Sequence, residues 1–280
     1  MSRIIEFFNG NRIHPGSSFL NGSNRSFLFG DGVFETIRVL NGKALFLSDH
    51  LERLVFGMDR LMMEPPMEQF EEFIRKSIPS VLEKEKVTNG RIRVSVYREA
   101  SGFYTPEDLN TSWHLMIREA DSNETVLECS ATIFSNIHKS NSMISRVKTT
   151  SSLIYVMAGI HAATTGFDES IILNPDGRIV ESHTSNIFIR KGKNYHTPPL
   201  SEGCIDGVMR RQIIGVMNRS GFDLQELPLT KADLMGADEI LLTNVMQWVR
   251  NVTSFSNKSY ESNSGPVLNR MILESISQIP

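Results

Sequence analysis

Cysteine is nearly absent. Cys129 and Cys204 are the only two in 280 residues, too few for a disulfide framework and with no metal-ligand spacing. The seven histidines form no HxxxH or HxH pair, so a zinc site is not expected. A run of the ~18 apolar residues that a membrane span requires is missing, and no charged-then-apolar leader follows Met1. Neither sign of charge dominates. The formal net charge is −3 with both signs interspersed and no basic stripe, which argues against nucleic acid or an anionic membrane surface as partner. What is present is a chain with 40% hydrophobic residues, long enough for one large core or two modest ones. A cytoplasmic chain of two domains is expected: a smaller N-terminal α/β domain over 1–118, a polar linker over 119–124, and a larger C-terminal domain over 125–280.

The stretch from Met143 to Arg190 is the most informative. Met143 to Val147 is expected to be a short strand ending at Lys148. The TTSS that follows opens a helix whose apolar residues Leu153, Val156, Met157 and Ile160 recur at helical spacing. Glu169 to Leu173 is a second strand, Asn174-Pro175-Asp176-Gly177 a turn, and Arg178 to Glu181 a returning strand. Taken singly, Lys148 and Glu181 are most simply a solvated lysine and an exposed carboxylate. Taken together, a lysine at one strand end and a carboxylate at another suggest pyridoxal phosphate, whose aldehyde needs an amine and whose ring nitrogen must stay protonated to act as an electron sink.

The ordered set carries more weight than the pair. Lys148, Ala158, Ala162, Asp168-Glu169-Ser170, LNPDGRIVE ending at Glu181, Ser185 to Phe188, TPPL from Thr197 and GVMR from Gly207 resemble the fold-type IV pyridoxal phosphate enzymes. These are the branched-chain and D-amino acid aminotransferases and 4-amino-4-deoxychorismate lyase. The resemblance covers nearly the whole chain, beginning with FLFGDGVFETIRVLNGK at Phe27 to Lys43. It implies the two-domain D-amino acid aminotransferase-like fold, an active site near the domain and subunit boundary, and a homodimer.

Ile4 to Phe8 and Arg12-Ile13 around Asn9-Gly10 read as an opening hairpin. From Phe27 to Leu40, Val33, Glu35, Ile37 and Val39 alternate with Phe34, Thr36 and Arg38 as a strand should. Leu47 to Leu54 begins a helix with Asp49 expected as N-cap and Glu52 in capping-box position. Leu51, Leu54, Val55, Met58 and Leu61 form its apolar stripe, which leaves Arg53 off the centre of that face. Position alone makes Arg53 a surface residue. The family's HxxRL arginine binds the cofactor phosphate and falls on Arg53, and a planar guanidinium suits a phosphate. A second amphipathic helix is expected from about Met67 to Lys86, followed by strands Arg91 to Arg98 and Trp113 to Ile117. Arg91, Arg93 and Arg98, with Tyr104 beyond, are candidates for binding substrate carboxylates. A solvated strand face explains the arginines equally well.

Gly207 directly precedes another amphipathic helix, so the amides of Val208 and Met209 are candidates for a phosphate site. An ordinary helix start is the simpler reading of that feature alone. Asp238 to Thr243 is an apolar strand whose end resembles the family segment where a threonine closes over the phosphate, assigning that role to Thr243. Three expectations distinguish the members. The aminotransferases place a tyrosine at the position of Leu153, so Tyr155 is the candidate substitute for its contact with the cofactor's phenolic oxygen. They usually have a threonine at the position of Met209. Thr36 occupies a position where lyases resemble one another in having threonine, and its hydroxyl is a candidate proton relay, although β-propensity explains a strand threonine as simply. Thr36 and GVMR imply 4-amino-4-deoxychorismate lyase, yielding 4-aminobenzoate and pyruvate for folate biosynthesis. The alternatives are a D-amino acid or branched-chain aminotransferase, and a catalytically silent pyridoxal phosphate-binding protein.

Overall fold

The computed structural model describes residues 3–18, 20–120, 126–261 and 263–277. By contacts the chain divides into two units, Met1–Glu124 with Val147–Ser152, and Thr125–Arg146 with Leu153–Pro280. The segment carrying Lys148 was expected in the C-terminal domain and belongs instead to the first unit. Of the polar stretch 119–124, Glu119 closes a strand, and 121–124 lie outside the described residues.

The first unit opens with the expected hairpin, β1 (Ile4–Phe8) and β2 (Asn11–Ile13), turned by Asn9 and Gly10 at φ 45° and 82°. A short helix α1 (Arg25–Phe29), capped by Asn24, leads through Gly30 into β3 (Gly32–Leu40) and β4 (Lys43–Ala44). Two helices, α2 (Leu47–Arg60) and α3 (Phe70–Glu85), precede β5 (Gly90–Arg98) and β6 (Thr111–Glu119). The six strands pair antiparallel in the order β2-β1-β6-β5-β3-β4. Leu51, Leu54 and Met58 of α2 and Ile74, Ile78 and Leu82 of α3 pack with Val33, Ile37, Val39, Ile92, Val94 and Ile117 in one core. Period-two alternation therefore gives the sheet one apolar face, under the helices, and one polar face. Asp49 does not cap α2. Phe46 holds that place in the left-handed region at φ 53° with no side-chain cap, and Asp49 lies in the first turn, where its charge favours the helix dipole.

Met143 to Val147 forms no strand, because it lies in turns and Met143 and Ile144 are exposed. The chain is held one step later. The carbonyl of Lys148 accepts from the Phe34 amide at 3.0 Å, Thr149 bridges Val33, and the Thr150 amide donates to the Gly32 carbonyl at 2.9 Å.

In the second unit β7 (Glu128–Phe134) is followed by α4 (Leu153–Thr165), β8 (Glu169–Leu173), β9 (Ile179–Ser182), β10 (Asn186–Lys191) and β11 (Asn194–Thr197). Next come α5 (Val208–Arg219), β12 (Asp223–Glu226), α6 (Lys231–Met235), β13 (Glu239–Asn244), β14 (Trp248–Phe255), β15 (Lys258–Ser259) and α7 (Ser264–Ser277). The sheet runs β12-β11-β10-β13-β14-β7-β8-β9, with β15 paired to β14. The turn Asn174 to Gly177 is locked by the Asn174 side chain, whose Oδ1 accepts from the amides of Asp176 and Arg178. The apolar stripe read on α4 is not its buried face. Leu153, Val156, Met157 and Ile160 are exposed, while Ala158 and Ala162 are buried, because small residues let the helix lie close against β7 and β8. Among the described residues no helix is long and apolar enough to cross a membrane, and no group of three or more potential ligands could hold a metal.

Candidate active site

In the first unit β3 serves both faces of its sheet. Towards α2 it sends Glu35, 1% exposed, into an otherwise apolar row. The carboxylate is gripped by Arg53, whose Nε donates to Oε1 and Nη2 to Oε2, each at 2.7 Å, and lies 2.7 Å from His50 Nδ1. Burial alone would raise the pKa of Glu35. The charge of Arg53 and the neighbouring His50, with their hydrogen bonds, outweigh it and bring the value down to about 2. Burial in turn lowers the pKa of His50, and its Nε2 has no hydrogen-bond partner among the described residues. Arg53 is thus buried and held in a two-point grip, not a surface arginine.

The opposite face of the strand carries Phe34, Thr36 and Arg38. Lys148 Nζ lies 4.5 Å from the centre of the Phe34 ring, and the Arg93 guanidinium lies 3.8 Å from the same centre. Arg93 stands opposite Thr36 in register, donates to Ser95 Oγ at 3.2 Å, and forms no ion pair among the described residues. Its pKa is lowered by burial and then by the like charge of Arg91, so an anion would relieve it. Arg91 lies opposite Arg38 and is exposed. Arg98 is not available to a substrate. Its Nε binds Asp31 at 3.1 Å, and its other nitrogens donate to the carbonyls of Leu61 and Met62. Asp31 also holds Arg25, which donates to the carbonyls of Gly102 and Phe103. Here FGDG and Arg98 fasten a loop. Tyr104 is 88% exposed and rests 5.4 Å from the Phe29 ring.

In the second unit Glu181 is buried at the β9 end. Its Oε1 accepts from Lys139 Nζ at 2.6 Å and from the Tyr155 hydroxyl at 2.8 Å, and its Oε2 from the Ile205 amide at 3.0 Å. Tyr155 therefore spends its hydroxyl on the carboxylate. Gly207, having no side chain, gives α5 no side-chain cap, and the first amides of a helix, here from Val208 and Met209, have no partner within the helix. A Cβ at Gly207 would meet Asn186 Oδ1 at 1.9 Å, which excludes any other residue without rearrangement. Thr243 ends β13 with its hydroxyl buried and without a hydrogen-bond partner among the described residues. The next residue, Asn244, donates to Ser185 Oγ at 2.9 Å and fixes that strand end.

The family model described as "Amino-transferase class IV" matches residues 32–255. The chain belongs to this family. It is similar to aminodeoxychorismate lyase of Bacillus subtilis (27% identical, covering 92% of this chain and 89% of the relative) and to D-alanine aminotransferase of Bacillus licheniformis (22% identical, covering 93% and 92%). Its fold matches the branched-chain aminotransferase of Thermoproteus uzoniensis, solved with norvaline, at a TM-score of 0.88, 23% identity, and 98% and 93% coverage. This member of the class IV family is a pyridoxal phosphate-dependent enzyme with the two-domain fold-type IV architecture. Its residues fit the cofactor. The buried unpartnered hydroxyl of Thr243 and the open N-terminus of α5 suit a phosphate, and the Glu181 carboxylate suits a ring nitrogen. Sequence reading passed over Glu35, His50, Lys139 and Asn186. Glu35 left a signal as the one charge in the row Val33, Glu35, Ile37 and Val39, and His50 as the first residue of the HxxRL motif.

Proposed function

We propose that the chain is an aminotransferase acting on a small amino acid. The observation that carries this is the half-buried Arg93 guanidinium, without an ion-pair partner among the described residues, beside the same ring as the Lys148 amine. A cation so placed suits the carboxylate of an amino acid whose amine is to be processed. Family members that are similar to the chain include aminotransferases for D-alanine, and the matched fold is that of a branched-chain aminotransferase.

Pyridoxal phosphate, when bound, supplies an aldehyde to receive an amine and a ring to take up an electron pair. Lys148 would supply the resting amine and would move the proton at the substrate α-carbon. Glu181 would accept a hydrogen bond from the ring nitrogen. In the second unit Thr243 and the amides of Val208 and Met209 would hold a phosphate; in the first, the Arg53 guanidinium suits a phosphate and Arg93 would orient the substrate carboxylate. The apolar face of α4, with Leu153, Val156, Met157 and Ile160 exposed, supports a homodimer.

A second reading, 4-amino-4-deoxychorismate lyase, is favoured by Thr36. Its hydroxyl makes no hydrogen bond among the described residues and stands opposite Arg93. The Bacillus subtilis relative of that name agrees with it. Incubation with amino acids plus 2-oxoglutarate, and separately with aminodeoxychorismate, decides by assay of glutamate against pyruvate and 4-aminobenzoate. Glutamate without pyruvate is expected. Pyruvate release would reverse the order, and Thr36→Val should then slow it by ~10²–10⁴-fold with cofactor binding kept. Borohydride reduction followed by peptide mapping should find the pyridoxyl group on Lys148, and its discovery on another lysine would overturn the assignment.

A further inference from the structure

Glu181 receives more hydrogen bonds than a strand-end carboxylate needs for solubility. Besides Lys139, Tyr155 and the Ile205 amide, Asn186 Nδ2 lies at 3.5 Å from Oε2. The Glu181 side chain is only 4% exposed and that of Lys139 only 11%. Lys139 is held at both ends. Its amide donates to the Leu173 carbonyl at the end of β8 at 2.9 Å, and its ammonium lies 5.3 Å from the centre of the Tyr155 ring. Burying such a pair is weak evidence for stability, since its desolvation cost offsets much of the attraction. The donor chemistry says more. An ammonium and a backbone amide can only donate, and one faces each oxygen of Glu181, so both oxygens are held from fixed directions. The arrangement fixes the plane and orientation of the carboxylate.

We propose that Lys139, assisted by Tyr155, is a positioning residue that holds the Glu181 side chain in one orientation, ready to accept a hydrogen bond from the protonated ring nitrogen of pyridoxal phosphate. This rests on the reading of Glu181 as the partner of that nitrogen. Lys139 and Tyr155 act through Glu181. The consequence is selective: losing either should weaken recognition of the ring nitrogen more than that of the rest of the cofactor. The burial of Tyr155, and then the charge of Glu181, hold its pKa well above the ordinary value, so the phenol remains a donor throughout the working pH range.

The test compares the affinity of the full-length apoprotein for pyridoxal phosphate with that for the 1-deaza analogue, in which a C–H replaces the ring nitrogen. The preference for the natural cofactor should fall about tenfold in Lys139→Met and in Tyr155→Phe, the scale of one charge-assisted hydrogen bond. Lys139→Arg should restore most of it. A purely structural ion pair would change thermal stability and leave the ratio untouched. Glu181→Gln separates the two levels. If it lowers the ratio while Lys139→Met and Tyr155→Phe do not, the positioning role is overturned and the Glu181 assignment stands. If Glu181→Gln leaves the ratio unchanged, the Glu181 assignment itself fails. Should Lys139→Met not fold, Tyr155→Phe carries the same readout.

Discussion

Glu35→Gln should destabilise the first unit by about 3 kcal/mol at neutral pH, and the loss should fade with acid. Glutamine keeps the size of the side chain and mimics a protonated glutamate. The folded value near 2 lies about 2.5 units below the ordinary 4.5, and each unit is worth about 1.4 kcal/mol. The sign follows from the depression: the wild-type carboxylate contributes its full stabilisation above pH 4.5 and loses it as the pH falls through 4.5 towards 2. The variant lacks that contribution at every pH. The same loss seen from Arg53, a buried charge left without its counterion, is usually ~3–5 kcal/mol, in agreement with that figure. Urea unfolding in a Trp248→Phe background makes the core residue Trp113 the fluorescent reporter of the first unit. The wild-type advantage should be about 3 kcal/mol at pH 7 and shrink steadily below pH ~4.5. An advantage under about 1 kcal/mol at neutral pH, or one that does not change with acid, would refute the ion-pair account.

Arg53→Ala should lower affinity for pyridoxal phosphate by roughly ten- to a hundred-fold, the value of a lost charge-assisted contact of about 1.5–3 kcal/mol, while affinity for unphosphorylated pyridoxal barely changes. Equal losses for both ligands would return Arg53 to a purely structural role with Glu35. Thr243→Val should move two quantities in opposite directions. Removing an unpaired buried hydroxyl with the shape conserved should hold or raise the thermal midpoint of the apoprotein, whereas cofactor affinity should fall about tenfold. A lower apoprotein midpoint with unchanged affinity would contradict the phosphate role.

The fold was legible where local pattern and burial agree. Alternation gave β3 and β5, the Asn9-Gly10 and Asn174 to Gly177 turns were marked by their own chemistry, and Gly207 announced the start of α5. On α4 the spacing predicts the helix that is found, but spacing shows only that a helix has an apolar stripe and not that this stripe faces the core of its own chain. Site chemistry was legible only for residues that belong to ordered motifs. Arg98 and Arg93 lie five residues apart, so alternation puts them on opposite faces of β5, but it does not show what either one binds. Only the fold shows that Asp31 and two carbonyls consume the first and leave the second without a carboxylate. Lys139 lies 42 residues from Glu181 in an irregular segment, so neither periodicity nor spacing could pair them.

The strand β3 explains how the short segment FETIR serves two different environments. Successive side chains of a strand point to opposite faces, so Glu35 and its neighbours Phe34 and Thr36 are separated by the sheet although they adjoin in sequence. On one face Glu35 fixes Arg53. On the other, Phe34 lies under both Lys148 and Arg93, with Thr36 opposite Arg93. A one-residue slip in the pairing of β3 with β5 would reverse both sets, burying Phe34 and Thr36 under α2 and exposing Glu35. The register is held by the fully buried Val33, Ile37 and Val39 against Ile92, Val94 and Val96. The apolar alternation that stabilises the sheet thus also determines which residues meet Arg53 and which meet Lys148 and Arg93. Substitutions at Ile37 or Val94 that loosen the register should disturb both faces together, whereas Glu35→Gln should spare the Lys148 face.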